Sequence, residues 1–549
     1  MDIAMLLDWK LAMITALAGV VSLLTTLNVA ARPAAVRTGQ VATAFTVAQL
    51  FFMVTRFANL FYLPLMARFV DEATRTGQTS QLYGQIQWVV VGAAVGALVS
   101  WLLLPTFVEI YCVAVGSITH RGMLRALLRM VRPASWLKLL RSFRRPSNLG
   151  CRLFKLDGVP ADFLLFNVAA TAVWTVGALA AVYVSAVIPQ YKTTAVLLSG
   201  LVNAFAAIAF TIWVDPKAAL ITDQATHGKR PESDVNLTAV HLSAGNFLGA
   251  LLGLAVLPLG VSLIRSATLV VGAEGESLAG GLWIVVALNA LFALLASTTY
   301  SARITAVATR RVATALAVYN LFFLITRLAG QVYAPMLGAM SDYVVHSDRM
   351  SLSDLAEMFR WILAGASTGA LLGWLLMPTF VEIYNRAVYK LDQLGSLPAV
   401  FLKLANPANW GTVLRCLRAP SLFGMRAAEL KLIPRGFLIG NVIVLSIHTV
   451  GVMAAIYAGA MVNDELARTA TLLSSVVNGI ATIMLSVVVD PTTATIVDRS
   501  IREEAERPVY VMAVMLMAGM FLGTLLSQVL LEPAAHFIVF GARTLDAIF

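Results

Sequence analysis

Charge is what this sequence has least of. Only 13% of its 549 residues are Asp, Glu, Lys or Arg, while 59% are hydrophobic and the mean hydropathy is +0.81. A soluble domain carries roughly 25% charged residues. The deficit runs the whole length of the chain, which excludes an ordinary water-soluble fold and makes lipid the solvent for most of it. Cysteine is nearly absent. The three present, Cys112, Cys151 and Cys416, fall in segments that the charge pattern assigns to the cytoplasm, so no disulfide framework is expected. The six histidines are scattered, with no H-E-x-x-H and no Cys/His cluster of metal-ligand spacing, and no metal is expected. There is no G-x-x-x-x-G-K-[ST], so no ATP-driven motor is expected, and no cofactor of any kind. The first residues carry Asp2 and Asp8 in place of a basic flank, which reads as a retained helix and not a cleaved signal.

What is there is a series of apolar runs. A spanning helix needs about 20 mostly apolar residues, and twelve runs qualify: near 11–31, 41–62, 85–112, 163–188, 193–214 and 239–264, then near 281–302, 312–335, 357–385, 437–461, 469–489 and 509–531. The third and ninth run long and carry Pro105 and Pro378 toward the far end, where a kink or break is expected. The net charge of +11 would suggest nucleic acid in a soluble protein, but here its placement excludes that. Lys and Arg concentrate in two long loops, 113–161 and 386–436, and in the shorter ones that alternation puts on the same side. Cytoplasmic loops collect positive charge, so this side is the cytoplasm. Asp71 and Glu72, then Asp342, Asp348 and Asp354, then Asp464 and Glu465 face away, and both termini fall outside. Within the first long loop, 122–140 alternates apolar residues and Arg at helical spacing. It is either an interfacial helix lying on anionic headgroups or an ordinary positive-inside loop.

The runs repeat. GALVSWLLLPTFVEIY at 96–111 and GALLGWLLMPTFVEIY at 369–384 share thirteen of sixteen positions. TVAQLFFMVTRFANLFYLPL at 46–65 pairs with AVYNLFFLITRLAGQVYAPM at 317–336, WTVGALAAVY at 174–183 with HTVGVMAAIY at 448–457, LLSGLVNAFA at 197–206 with LLSSVVNGIA at 472–481, and VDPKAALITD at 214–223 with VDPTTATIVD at 489–498. The fold class expected is an all-α integral membrane protein, twelve transmembrane helices in two parallel six-helix repeats, 1–275 and 276–549. Six spans per half is even, so the symmetry axis would lie along the membrane normal, with a central site at the repeat interface.

Arg56 and Arg327 stand mid-run, in MVTRFAN and LITRLAG. A charge at the bilayer centre costs roughly 2.5–3.5 kcal/mol on the insertion scale and marks a functional candidate. Guanidinium is also the side chain suited to bidentate phosphate binding. The alternative is a structural ion pair with Glu109 or Glu382, or snorkelling. Glu109 and Glu382 end the third run of each half, as partners for an arginine, as titrating coupling sites, or as plain headgroup-zone carboxylates. Asn203 and Asn478, like Asn167 and Asn441, are intramembrane amides that contact a ligand or simply bond helix to helix. Asp215 and Asp490, each followed by Pro, end the fifth run as gate residues or as turn formers. Asn59 becomes Gly330 in the second copy, and Trp174 becomes His448.

ARPAAVRT, TRFANLFYLPL, PTFVEIY, WTVGALAAVY, VNAFA and VDPKAALITD, in that order and spacing, resemble the Amj (Alternate to MurJ) family. The second copy resembles it at SARITAVAT, ITRLAGQVYAPMLG, HTVGVMAAIY, VVNGIATIMLSVVVDP and FLGTLLSQVLLEPAA. Members usually hold a single copy, so this chain departs by tandem fusion. The resemblance implies a non-enzymatic flippase of the bacterial inner membrane, moving lipid II, the undecaprenyl-pyrophosphate-linked peptidoglycan precursor, or a related glycolipid, without nucleotide. On the residues themselves, the candidate substrate contacts are Arg56, Arg327, Asn59, Glu109, Glu382, Asn203, Asn478, Asp215 and Asp490, and the complete duplication predicts a monomer whose halves pack as the subunits of a single-copy relative would. A small-solute secondary transporter and a membrane scaffold are the competing readings.

Overall fold

The computed structural model describes residues 8–121, 142–150, 161–226, 228–309, 312–394, 406, 410–420, 429, 431, 433, 435–485, 489, 492–493, 496–497, 500 and 503–548. Among these the regular structure is all helical. The interfacial helix expected over 122–140 lies outside the described residues, as do Cys151 and Asp490.

The chain divides into two compact units, Met1–Thr268 with Leu545–Phe549, and Leu269–Thr544. In the first, α1 is Trp9–Leu27, started by Asp8, whose carboxylate accepts from the Lys10 amide. A 3₁₀ turn leads to α2, Ala31–Thr38, which ends at Gly39 in the left-handed region (φ 66°). Next come α3, Val41–Arg75; α4, Thr79–Leu102; α5, Leu104–Arg121; α6, Ala161–Val187; α7, Lys192–Leu197; α8, Ser199–Ala209; α9, Asp215–Thr226; and α10, Glu232–Ala273. The second unit opens with the short α11, Gly275–Gly280, and then runs through α12, Leu282–Thr298; α13, Ser301–Ala308; α14, Val312–His346; α15, Leu352–Leu375; α16, Met377–Leu394; α17, Trp410–Leu414; α18, Arg435–Met461; α19, Ala467–Leu472; α20, Ser474–Met484; and α21, Arg507–Ile548. The counterparts agree in length. α3 and α14 have 35 residues each, α6 and α18 have 27, α8 and α20 have 11, and α10 and α21 have 42.

The helices are built for lipid. Leu259, Leu263 and Val270 on α10 are more than half exposed, as are Val529, Phe537 and Phe540 on α21. Large apolar side chains turned outward along helices that also bury apolar ones are what a bilayer rewards and water does not. Pro64, Pro258, Pro335 and Pro533 sit inside helices, as membrane helices allow.

Among the described residues, eight helices are long and apolar enough to cross a membrane, or nine counting one bent pair. That is fewer than the twelve expected. The run expected at 85–112 is two helices, α4 and α5, parted at Leu103, and the apolar part of α5 is too short to cross alone. Its counterpart is the bent pair, α15 and α16, meeting at 66°. Pro105 and Pro378 each fall just after the break, where a residue without an N–H can sit in a helix's first turn but cannot continue the one before it. The expected run 469–489 reaches residues outside those described. α3 and α14 are not among the eight, although 35 residues of helix reach about 52 Å against the roughly 30 Å of hydrocarbon.

Candidate functional site

The two mid-run arginines lie on α3 and α14, each well inside its 35-residue helix; their side chains are not among those described. The neighbouring threonines show which way this turn packs. Thr55 and Thr326 are buried, and each hydroxyl donates back to the carbonyl one turn earlier, Phe51 at 3.4 Å and Phe322 at 2.9 Å. Such a bond satisfies the hydroxyl where no water reaches it. Asn59, one turn beyond Arg56, is half-buried. At its counterpart Gly330 an added Cβ would meet the Phe292 ring at 3.1 Å. Val21 stands where Phe292 would be in the first half, so the amide's disappearance is matched by a larger ring on the neighbouring helix. The second half is therefore the more apolar of the two at this level.

The intramembrane asparagines separate into two kinds. Asn167 donates from its amide nitrogen to the Leu242 carbonyl at 3.1 Å, and Asn441 to Leu516 at 3.2 Å. Each crosses to the next long helix beside a glycine, Gly245 or Gly519, where a Cβ would stand 2.3 or 2.2 Å from that nitrogen. Interhelical bonding accounts for this pair. Asn203 and Asn478 differ. Their carbonyl oxygens, like those of Asn167 and Asn441, are buried and accept nothing, but here it is the oxygen that points at a glycine, Gly177 or Gly451, whose Cβ would lie 2.4 Å away. The Trp174 indole donates to the main-chain carbonyl of Asn203 at 3.2 Å and its ring lies 5.3 Å from that of Phe210. In the second half His448 and Leu485 stand in those two places. Replacing Asn441 by alanine should lower stability by about 1 kcal/mol, read as a lower thermal unfolding midpoint in detergent. An unchanged midpoint would show the bond contributes nothing.

After α8 the chain makes one π-helical turn, Phe210–Val214, and Leu485 and Val489 adopt the same conformation in the second half. π-turns concentrate at functional sites because they free backbone groups and re-aim the next side chains. The residue re-aimed here is Asp215, which is exposed and accepts from Arg32 at 2.9 Å. Arg32 is nine-tenths buried on α2. Nearby, Arg37 pairs with Glu232 at 2.9 Å, and Lys217 pairs with Asp162. Sequence reading did not single out Arg32. The signal was its recurrence as Arg303 in the matching A-R-x-x-A-V; Arg303 lies over the Tyr300 ring, 5.7 Å from its centroid.

Glu109 and Glu382 each meet an arginine from a basic loop, and Glu382 also meets Arg386 one turn along its own helix. Arg144 approaches Glu109 at 3.6 Å, and Glu382 holds Arg386 at 2.8 Å and Arg418 at 3.3 Å. Arg144 and Arg418 were read only as loop charge. They belong to a short match, F-R-R-P-S at 143–147 and L-R-A-P-S at 417–421, at the spacing of the surrounding repeat. Among the described residues no group of His, Cys, Asp and Glu could hold a metal ion.

Apolar helices with lipid-type surfaces, and polar side chains held where helices cross, define a multi-pass α-helical membrane protein. The chain belongs to the Amj (Alternate to MurJ) family, whose model matches residues 17–268 and again 288–542. It is 30% identical over 242 residues to the lipid II flippase Amj of Bacillus subtilis (strain 168), an alignment covering 44% of this chain and 88% of that protein. No solved structure matches.

Proposed function

We propose that this protein is a lipid II flippase, carrying the undecaprenyl-pyrophosphate-linked precursor from the cytoplasmic to the outer leaflet of the bacterial inner membrane. The observation that supports it most is the double match: each half separately fits the Amj family, and a relative of half this chain's size is named for that activity. The proposal includes twelve spans, with α3 and α14 crossing the bilayer, both termini outside, two repeats that meet near 275, and a monomer as the working unit. Arg56 and Arg327 are the first contacts for the pyrophosphate. Asn59, Asn203 and Asn478 offer amide groups along the same route, and Asp215 and Asp490 stand at its cytoplasmic end.

The driving force comes from charge. The lipid headgroup is an anion and the cell interior is electrically negative, so outward movement is downhill by about 2.3 kcal/mol per charge per 100 mV. The test is reconstitution of the full chain in vesicles with labelled lipid II, measuring its appearance in the far leaflet. Translocation is expected, and expected to slow when the potential is collapsed at constant pH. Vesicles that flip no labelled lipid, yet take up a soluble solute, would replace the proposal with a small-solute transporter. Flipping at a rate indifferent to potential would move the coupling to proton exchange.

A further inference from the structure

The helix after each break carries threonine and glutamate three residues apart, Thr106 with Glu109 on α5 and Thr379 with Glu382 on α16. That spacing puts both side chains on one face. Each threonine hydroxyl clamps the backbone of one loop arginine. Thr106 accepts from the Arg144 amide at 3.0 Å and donates to its carbonyl at 3.2 Å. Thr379 does the same for Arg418, at 3.0 and 3.4 Å. With its backbone pinned there, each guanidinium reaches the glutamate one turn along, at 3.6 and 3.3 Å. The same arrangement is thus built twice, from loops that also repeat P-A-x-W-x-x-x-L-R at 133–141 and 407–415, just ahead of the R-x-P-S match.

These arginines are fixed at the base and open at the tip. The side chains of Arg144 and Arg418 are 58% and 50% exposed. A guanidinium has five N–H donors, and a glutamate shared with Arg386 cannot occupy them all. In the second unit two guanidiniums face one carboxylate, so the cluster keeps a positive excess. Arg386 is itself steadied by donating to the Arg415 carbonyl at 3.4 Å. Arg145 comes directly after Arg144, and Arg415 precedes Arg418 by three residues. Preorganised guanidiniums with spare donors suit the tetrahedral oxyanions of phosphate, to which they bond bidentately.

We propose that Thr106–Glu109–Arg144 and Thr379–Glu382–Arg418 are two docking sites for the diphosphate of a lipid carrier at the membrane surface, in which the glutamate holds the arginine while the site is empty and gives it up to the anion. The glutamate is an internal competitor: its removal takes away a negative charge that competes for the guanidinium, whereas removal of the arginine deletes the site. This rests on the lipid-carrier reading above, but it concerns binding at the surface and is separable from transport.

The test uses the purified full-length protein in phosphatidylcholine nanodiscs, titrated with undecaprenyl diphosphate, with phosphatidylglycerol and with inorganic pyrophosphate. Arg144→Ala with Arg418→Ala should weaken undecaprenyl diphosphate binding about tenfold or more. Glu109→Gln with Glu382→Gln keeps the shape and should tighten it severalfold. The opposite signs carry the test, because a purely structural ion pair would be harmed by either change. Weaker or unchanged binding in the glutamine variants overturns the proposal, even if the alanine variants fold poorly. Equal affinity for phosphatidylglycerol or for inorganic pyrophosphate overturns the assignment to a lipid-carrier diphosphate. Sign-reversed binding in a protein that flips no lipid II would leave these sites standing and remove the transport reading alone.

Discussion

Replacing Arg56 and Arg327 together by glutamine should abolish growth of a strain that depends on this protein for wall synthesis, with the protein still present in the membrane at its normal level. The level is the control, and physics favours it. With α3 and α14 crossing the bilayer as proposed, removing a charge from mid-helix relieves roughly 2.5–3.5 kcal/mol of insertion cost, so failure to insert is not an available explanation for the loss. What disappears is the positive charge that would meet a pyrophosphate. The single variants should be unequal. In the first half, Asn59 stands one turn from Arg56; in the second, Gly330 faces the Phe292 ring. A helix turn that carries an amide can offer a headgroup's oxygens a second hydrogen-bonding group, whereas one that carries a glycine packed on a phenyl ring cannot. Arg56→Gln should therefore slow growth more than Arg327→Gln. Normal growth of the double variant would remove both arginines from the site, and equal single defects would remove the asymmetry.

Composition alone was enough for an all-helical membrane chain, because a charge deficit of this size has no soluble solution. The breaks near Pro105 and Pro378 were legible for a local reason, the missing N–H. The bonds of Asn167 and Asn441 were legible as a type, since an amide in lipid seeks the nearest helix. The number of spans was less so. Hydropathy reads residues 85–112 as one run and does not see that the chain parts at Leu103, since apolar residues continue across the break. Asn203 and Asn478 carry the same two readings as Asn167, ligand contact or interhelical bond, and what parts them is which amide atom faces the glycine at the crossing, the oxygen there and the nitrogen at Asn167. Arg32–Asp215 joins residues far apart in sequence, and Arg144–Glu109 joins a loop to a helix. Such pairings leave no periodic trace. Only the internal repeat could have pointed to them, through Arg303 and through the second R-x-P-S.

The tightest helix crossings in both units should tolerate no added methyl group. α1 and α4 meet through Gly19, Gly92 and Gly96. An added Cβ on Gly92 would stand 2.3 Å from the Thr15 carbonyl oxygen, and one on Gly96 would stand 1.9 Å from that of Gly19. α12 and α15 repeat this. Gly365 faces the Val286 carbonyl oxygen at 2.5 Å, and Gly369 faces that of Ala290 at 1.9 Å. Small residues one turn apart let membrane helices approach until backbones touch, and there packing takes over the role that hydrophobicity plays in water. The obstructing atoms are backbone, so no rotamer change can make room, and the helices must separate by more than about 1 Å, forfeiting much of the dispersion contact along the seam. Gly96→Ala and Gly369→Ala should each destabilise by about 1–3 kcal/mol or more, read as a lowered thermal midpoint in detergent. Gly116→Ala on α5 is the matched control. Nothing lies within 4 Å of its added Cβ, and alanine is the better helix former by roughly 1 kcal/mol, so stability should hold or rise. Gly96 and Gly369 touch different partners, so the double variant should lose about the sum of the two single losses. Midpoints for Gly96→Ala and Gly369→Ala as high as that of Gly116→Ala would mean that these helices do not pack backbone to backbone.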